Sequence, residues 1–116
     1  MKLSEVVKIL DAKVLTGEDS LDIEVASACG CDLMSDVLAF VKDRALLLTG
    51  LINPQVIRTA EMMDIIAVCF VRGKTPPEDV VALAKEKDIT ILTTEQPLYR
   101  SCGILYEKGL RGRDDA

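Results

Sequence analysis

The sequence predicts an α/β domain of three layers, with helices on both faces of a largely parallel central sheet. Apolar runs of strand length alternate with segments of helical periodicity along most of the chain. The apolar content is aliphatic, with two Tyr, two Phe and no Trp in a chain that is 49% hydrophobic, which suits a sheet buried on both faces. A length of 116 residues allows one hydrophobic core. We therefore expect a single domain over residues 1–110 and a disordered tail over 111–116.

The first part of the chain is predicted to fold as helix, strand, strand and helix. Apolar residues recur at helical spacing in LSEVVKIL, with Ser4 as the expected N-cap. The run AKVLTG is typical of a strand, and IEVASACG (Ile23 to Gly30) predicts a second strand. The segment DLMSDVLAFV then predicts a helix that Asp32 or Ser35 would cap.

The remainder alternates regularly between strand and helix. ALLLTG, DIIAVCFV and ITILTT predict strands, and NPQVIRTAEM, TPPEDVVALAKEK and PLYRSCGILYEKG predict the helices that follow them. Asn53 and Thr75 each precede a proline and are expected N-caps, because the fixed φ of proline suits the first helical position. Thr75 with Glu78 also predicts a capping box, and Gly109 is placed to end the last helix.

Three predicted strands end in a similar way, in Leu15-Thr16-Gly17, Leu48-Thr49-Gly50 and Leu92-Thr93-Thr94. The structural interpretation is that Thr and Gly are common at strand ends simply because they favour turns. The functional interpretation is that ligands of open α/β sheets bind outside the carboxyl ends of strands. Hydroxyls and amides there would contact phosphate or ribose, and Arg72 and Lys74 would supply charge. The candidate ligand-binding residues are Asp32, Ser35, Thr49, Gly50, Arg72, Gly73, Lys74, Thr75, Thr93 and Thr94.

The segment VCFVRGKTPPED places Gly73-Lys74-Thr75 between a strand and a helix, as in the second half of a phosphate-binding P-loop. The full pattern requires a glycine where Val68 stands. Pro76 and Pro77 also lack the amide donors that such a loop directs at phosphates. We therefore expect no ATP hydrolysis, although the charged side chains at this helix start could hold a phosphate or carboxylate.

The four cysteines raise the question of a metal or redox centre. Cys29 and Cys31 are one residue apart, but a zinc or iron–sulfur site needs about four ligands. The other two, Cys69 and Cys102, lie among apolar residues and are interpreted as small core side chains. The chain has no histidine, the commonest general base and transition-metal ligand. We predict free thiols with Cys69 buried, and no metal, cofactor or catalytic residues.

Charge and hydropathy restrict the partners. A net charge of −5 and a pI near 4.7 argue against nucleic-acid or anionic-membrane binding, which require a dense basic face. The N-terminal MKLSEVVKILDAK lacks the apolar stretch of a signal peptide, and nowhere do about 18 apolar residues run together. We therefore expect no membrane association and a cytoplasmic protein.

The order of several segments resembles small stand-alone DRTGG-domain proteins over nearly the whole chain. These segments are MKLSEVVKIL, VLTGEDSLDIEV, CDLMSDVLAFVKDRALLLTG, AVCFVRGKTPPEDVVALAKEKDITILTT and LYEKGL. That family is similar to the N-terminal domain of HPr kinase/phosphorylase and the middle domain of some phosphotransacetylases, and more distantly to the UDP-binding N-terminal domains of Mur ligases. The naming motif departs here, since Leu51 follows Thr49-Gly50 in place of a second glycine and Asp43-Arg44 precede the strand.

The resemblance implies a three-layer α/β/α fold like the HPr kinase N-terminal domain, and a regulatory or dimer-forming role. Our first hypothesis is a non-catalytic regulatory module that self-associates as a homodimer and binds a small anionic or nucleotide-like ligand at its strand ends. The alternative is a pure protein-interaction module for a redox (iron hydrogenase-associated) or signalling-kinase system; an enzyme or metal protein is a third. Met62 and Met63 are either a dimer seam or core side chains.

Overall fold

The computed structural model of the chain describes residues 1–41 and 44–112. Asp43 of the family motif and residues 113–116 of the predicted tail lie outside the described residues. The helices are α1 Leu3–Leu10, α2 Met34–Phe40, α3 Pro54–Met62, α4 Glu78–Glu86 and α5 Leu98–Glu107, with a short 3-10 helix at Glu18–Ser20. The strands are β1 Lys13–Thr16, β2 Ser27–Gly30, β3 Ala45–Thr49, β4 Ala67–Phe70 and β5 Thr90–Thr93.

The five strands form one sheet in the order β1-β5-β4-β3-β2. Strands β2 to β5 run parallel, and β1 pairs antiparallel with β5, so the prediction of a largely parallel sheet is confirmed. The antiparallel β1 corrects the expectation that Thr16-Gly17 lies at the same edge as the other strand ends. Its carboxyl end, with Thr16 and Gly17, lies beside the start of β5 and therefore at the opposite edge from the carboxyl ends of β3 and β5.

Helices cover both faces of the sheet, which confirms the three-layer α/β/α architecture. On one face, side chains of α2, α3 and α4, such as Val37, Ile57 and Val80, pack with Val68 and Phe70. On the other face, α1 and α5 pack against the alternate residues of the same strands. The buried residues of this layer include Leu3 and Leu10 of α1, Leu105 of α5, and Leu46, Leu48, Cys69 and Leu92 of the strands. All four residues of β4 are buried, so Cys69 is buried as predicted.

The helix starts agree only partly with the sequence predictions. Asn53 does cap α3, since its Oδ1 accepts a hydrogen bond from the Gln55 amide at 3.0 Å. Ser4 was wrong as a cap. The helix α1 begins at Leu3, two residues earlier than a Ser4 cap would place it, because the extended Lys2 forms a β-bridge with Glu24 and directs the chain into the helix from there. The predicted strand from Ile23 shortens to Ser27–Gly30 accordingly.

The predicted caps of α2 and α4 were also wrong. Leu33 precedes α2 and Pro77 precedes α4, and neither gives a side-chain cap. Ser35 lies inside α2, and Asp32 is hydrogen-bonded to the end of β3 instead. Thr75 is separated from Glu78 by two prolines that are not helical, so no capping box forms.

Helices α3, α4 and α5 end in the same backbone motif. At the end of α5, Gly109 has φ 108°, its amide donates to Tyr106 O at 3.1 Å, and the Leu110 amide donates to Leu105 O at 3.0 Å. This is the Schellman arrangement, and it confirms Gly109 as the end of the last helix. Asp64 and Asp88 take the same left-handed position after α3 and α4, with φ of 53° and 56°.

Among the described residues, every helix is too short or too polar to cross a membrane.

Candidate functional site

The carboxyl ends of β2, β3, β4 and β5 meet at one edge of the sheet, and the loops that follow them carry most of the candidate residues. The structure divides these residues into two neighbouring groups. The first, the Asp32 cluster, comprises Asp32, Thr49, Gly50 and Lys74. The second, the β5 cleft, includes Gly73, Thr75, Thr93 and Thr94. The loop after β4 contributes to both groups.

The Asp32 cluster is held by three hydrogen bonds. Asp32 Oδ1 accepts from the Gly50 amide at 2.8 Å and from Thr49 Oγ1 at 2.9 Å. Lys74 Nζ donates to the Gly50 carbonyl at 2.8 Å. The Thr49 side chain is fully buried and its oxygen also accepts from the Leu51 amide at 3.1 Å, which fixes its orientation. One glycine is thus held on its amide side by a carboxylate and on its carbonyl side by an ammonium group.

Gly50 leaves open space between these charged groups. A Cβ built on Gly50 would lie 3.6 Å from Lys74 Nζ and 3.7 and 3.8 Å from the two carboxylate oxygens of Asp32. These are ordinary contact distances, so a methyl group fits there without displacing the neighbours. A ligand atom above Gly50 would meet the ammonium group on one side and the carboxylate on the other.

The β5 cleft encloses about 220 Å³. It is lined by Asp11, Lys13, Leu15, Gly73, Thr75, Thr93, Thr94 and Glu95. Gly73 has φ 67°, its amide donates to Thr94 O at 2.8 Å, and a Cβ on it would come within 2.9 Å of the Glu95 carboxyl carbon. The left-handed backbone therefore favours glycine at this position of the cleft lining.

Thr94 has a structural role in the β5 cleft. Its hydroxyl donates to the Leu10 carbonyl at 2.8 Å and accepts from the Gln96 amide at 3.3 Å, so it joins the end of α1 to the loop after β5. Thr93 and Thr75 also line the cleft. The structure thus brings these three threonines to one cleft, but the Thr94 hydroxyl is already hydrogen-bonded within the fold.

Two candidates belong to neither group. Ser35 is exposed in α2, and Arg72 is exposed with a left-handed backbone, φ 63°, whose amide donates to Gln96 O at 2.9 Å. Three charged residues that line the β5 cleft, Asp11, Lys13 and Glu95, were not predicted. Asp11 and Lys13 reach this edge because β1 pairs antiparallel with β5, with Lys13 opposite Thr93, and no local signal in the sequence gives that pairing.

The cysteines are free thiols, as predicted. Burial raises the pKa of Cys69 to about 12, with a smaller contribution from the nearby Cys102. Burial likewise raises the pKa of Cys29 and of Cys102, and the neighbouring Cys31 adds to the effect on Cys29. These three thiols therefore stay protonated at neutral pH, a state that disfavours metal ligation and nucleophilic attack. Within residues 1–41 and 44–112, no group of three or more Cys, Asp or Glu side chains is arranged to hold a metal ion.

Comparisons with known proteins agree with this fold. The family model described as "DRTGG domain" matches residues 5–106. No curated protein matches the chain. One similar solved structure is that of the CBS and DRTGG domains of the regulatory region of Clostridium perfringens pyrophosphatase, complexed with its activator diadenosine tetraphosphate. The alignment has a TM-score of 0.76 and 14% sequence identity and covers 98% of this chain and 51% of that one, so this chain spans about half the length of that structure.

Proposed function

The chain belongs to the DRTGG domain family, and from that premise we propose that it is a non-catalytic regulatory module. In this proposal it binds a small anionic or nucleotide-like ligand at the carboxyl edge of its sheet, and it self-associates. The DRTGG domain of the pyrophosphatase is part of a regulatory region whose activator is a dinucleotide, which supports the choice of ligand class. We place the protein in the cytoplasm.

The observation that carries the proposal is the Asp32 cluster. Lys74 Nζ is fixed by the Gly50 carbonyl at 2.8 Å, at the edge where ligands of parallel sheets bind. A chain with a net charge of −5 repels anions overall, so an anion must be held by a local cation. Lys74 is exposed and retains ammonium protons for a ligand after its bond to Gly50.

The test is a thermal-shift screen with diadenosine tetraphosphate, ATP, UDP and inorganic phosphate. A ligand that binds only the native state at a hundred times its Kd stabilises it by about 2.7 kcal/mol. We expect a nucleotide to raise the Tm of the wild-type chain and of Lys85→Ala, but not of Lys74→Ala. Lys85 is a matched control because it is exposed in α4 and lines a cavity with Thr16 and Gly17, at the other edge of the sheet. If no compound shifts the Tm, the proposal that this chain binds such a ligand is wrong.

Self-association is supported by large apolar side chains that the single chain leaves exposed. Met62 is 69% exposed at the end of α3, Leu33 is 57% exposed before α2, and Tyr99 is 93% exposed in α5. Met63 packs against the core instead, so the proposed seam contains Met62 and not Met63. Light scattering at micromolar concentration should give twice 12.7 kDa, and Met62→Asp should lower that mass if the seam is correct. A wild-type mass near 12.7 kDa would contradict the homodimer.

The same exposed side chains favour the second candidate, a pure protein-interaction module for a redox or signalling partner. Tyr99 in particular is the residue type that anchors protein interfaces. Absence of any nucleotide shift, together with a monomer whose binding to a protein partner is lost in Tyr99→Ala, would support this candidate over the first.

A further inference from the structure

The donors at the end of β3 are already occupied by the protein's own carboxylate. An anion bound at this strand end would need the Gly50 amide and the Thr49 hydroxyl. Asp32 Oδ1 accepts from both, at 2.8 and 2.9 Å. A bare phosphate placed here would have to displace Asp32 or lie against its negative charge, so the cluster disfavours simple anions.

Two polar groups of the cluster remain directed at solvent. Among the described residues, Asp32 Oδ2 has no hydrogen-bond partner, and the Gly50 carbonyl accounts for one of the three donors of Lys74 Nζ. Both groups flank the open space above Gly50. A Cβ built on Gly50 would lie 3.8 Å from Asp32 Oδ2 and 3.6 Å from Lys74 Nζ. The space therefore offers a charged acceptor and a charged donor to one small molecule.

We propose that the Asp32 cluster selects an anion that also carries a hydroxyl group, namely the ribose phosphate part of a nucleotide. A ribose hydroxyl donates to Asp32 Oδ2, and a phosphate oxygen accepts from Lys74 Nζ. The hydroxyl donor offsets the negative charge that excludes bare phosphate. This inference rests on the proposed function and narrows its ligand class from any small anion to a hydroxylated one.

The test compares ATP, 2′,3′-dideoxy-ATP, ribose 5-phosphate and inorganic phosphate by isothermal titration calorimetry with the intact chain. We expect ATP and ribose 5-phosphate to bind. Dideoxy-ATP should bind about ten- to a hundredfold more weakly than ATP, which is the range for loss of a hydrogen bond to a charged group. Phosphate should be weaker still. Binding of ATP without ribose 5-phosphate would assign recognition to the base or to the additional phosphates and would overturn the inference.

Asp32→Asn is the sharpest variant. The amide oxygen can still accept from Gly50 and Thr49, while the amide nitrogen replaces the acceptor Oδ2 and the negative charge disappears. We expect the difference between ATP and dideoxy-ATP to vanish and phosphate binding to tighten. An unchanged ratio of the two nucleotides would contradict the proposal.

Gly50→Ala tests the open space itself. Gly50 does not have a positive φ, and the added methyl meets its neighbours at 3.6 Å or more, so the variant should fold with an unchanged Tm. It should weaken ATP binding at least tenfold, whereas Gly103→Ala, on the exposed face of α5, should not. Equal affinities for ATP and dideoxy-ATP in the wild type would overturn this inference and leave the proposed function standing. Failure of ATP, ribose 5-phosphate and the whole nucleotide screen would overturn both.

Discussion

Thr16 completes the hydrogen bonding of the sheet at an irregular point, and removing its hydroxyl should destabilise the fold. The register of β1 against β5 shifts between Val14 and Thr16. There Thr16 Oγ1 donates to the Ile89 carbonyl at 2.8 Å and accepts from the Ile91 amide at 2.9 Å. Thr16→Val keeps the size and branching of the side chain and removes both bonds.

The magnitude follows from the two buried peptide groups that lose their partner. Ile91 is fully buried and Ile89 nearly so, so water cannot replace the hydroxyl without a local opening. Each unpaired buried group costs about 1–3 kcal/mol, and the extra buried methyl of valine returns less than about 1 kcal/mol. We expect the free energy of unfolding to fall by about 1–5 kcal/mol, a substantial part of the roughly 5–15 kcal/mol typical of a domain.

Thr59 provides a matched control with the opposite sign. It is 1% exposed in α3, and its hydroxyl has no hydrogen-bond partner among the described residues. Thr59→Val removes an unpaired buried hydroxyl and adds apolar contact, so it should stabilise the fold by about 1 kcal/mol. The substitution is chemically the same as at Thr16 and both side chains are buried, but Thr16 is hydrogen-bonded in a strand whereas Thr59 is unpaired in a helix.

The assay is urea unfolding followed by far-UV circular dichroism, with the midpoint and the slope m fitted for each variant. Equal m-values would assign a midpoint change to stability alone. The reasoning is refuted if Thr16→Val loses no more stability than Thr59→Val.

Three further predictions concern the helix ends and the buried thiol. Gly109→Ala should destabilise the fold by about 1–2 kcal/mol because its backbone is left-handed, whereas Gly103→Ala, inside α5, should stabilise it by about 0.5–1 kcal/mol. Neither added Cβ meets another atom, so thermal unfolding of the two variants compares the backbone effects alone. Asp88→Gly should raise the free energy of unfolding by about 1 kcal/mol, because it relieves the left-handed strain of an exposed aspartate and removes a negative charge from a helix C-terminus; a lower Tm would contradict this. The Cys69 thiol should react with iodoacetamide at pH 8 only after unfolding. The pKa of this thiol is about 12 in the folded state against an ordinary 9.0, so the folded state binds the proton more tightly. The free energy of unfolding should therefore fall as the pH rises from about 9 towards 12, and it should fall less in Cys69→Ala.

The layered fold could be predicted from the sequence because its signals are local. Apolar runs such as those of β3 and β4 are buried on both faces, and Asn53 caps α3 by a contact only two residues away. The direction of β1 could not be predicted, since an apolar run has the same pattern in either orientation. Its antiparallel pairing with β5 depends on contacts 75 residues apart, such as that of Thr16 with Ile91.

The predictions for helix starts failed where tertiary contacts compete with capping. Thr75 has the residue type and spacing of a cap, but the loop after β4 holds it at the β5 cleft, and Pro76 and Pro77 extend the chain before α4 begins. Glycine was the only expected signal for a helix end, whereas Asp64 and Asp88 end α3 and α4 with the same backbone motif. Aspartate tolerates the left-handed region better than most residues, which makes these ends hard to recognise from sequence.

Asp32 shows why the candidate residues could be predicted one by one but not their arrangement. Its sequence position before α2 indicated a cap or a ligand contact, and both interpretations treat the carboxylate locally. The parallel pairing of β2 with β3, in which the Cys31 amide donates to Leu48 O at 3.0 Å, places residue 32 beside Thr49 and Gly50. The Gly50 amide and the Thr49 hydroxyl there compete with the free amides at the start of α2 for the same carboxylate oxygen. The donors that were expected to face a ligand therefore face the protein, and the proposed ligand contacts fall to the second carboxylate oxygen of Asp32 and the ammonium group of Lys74.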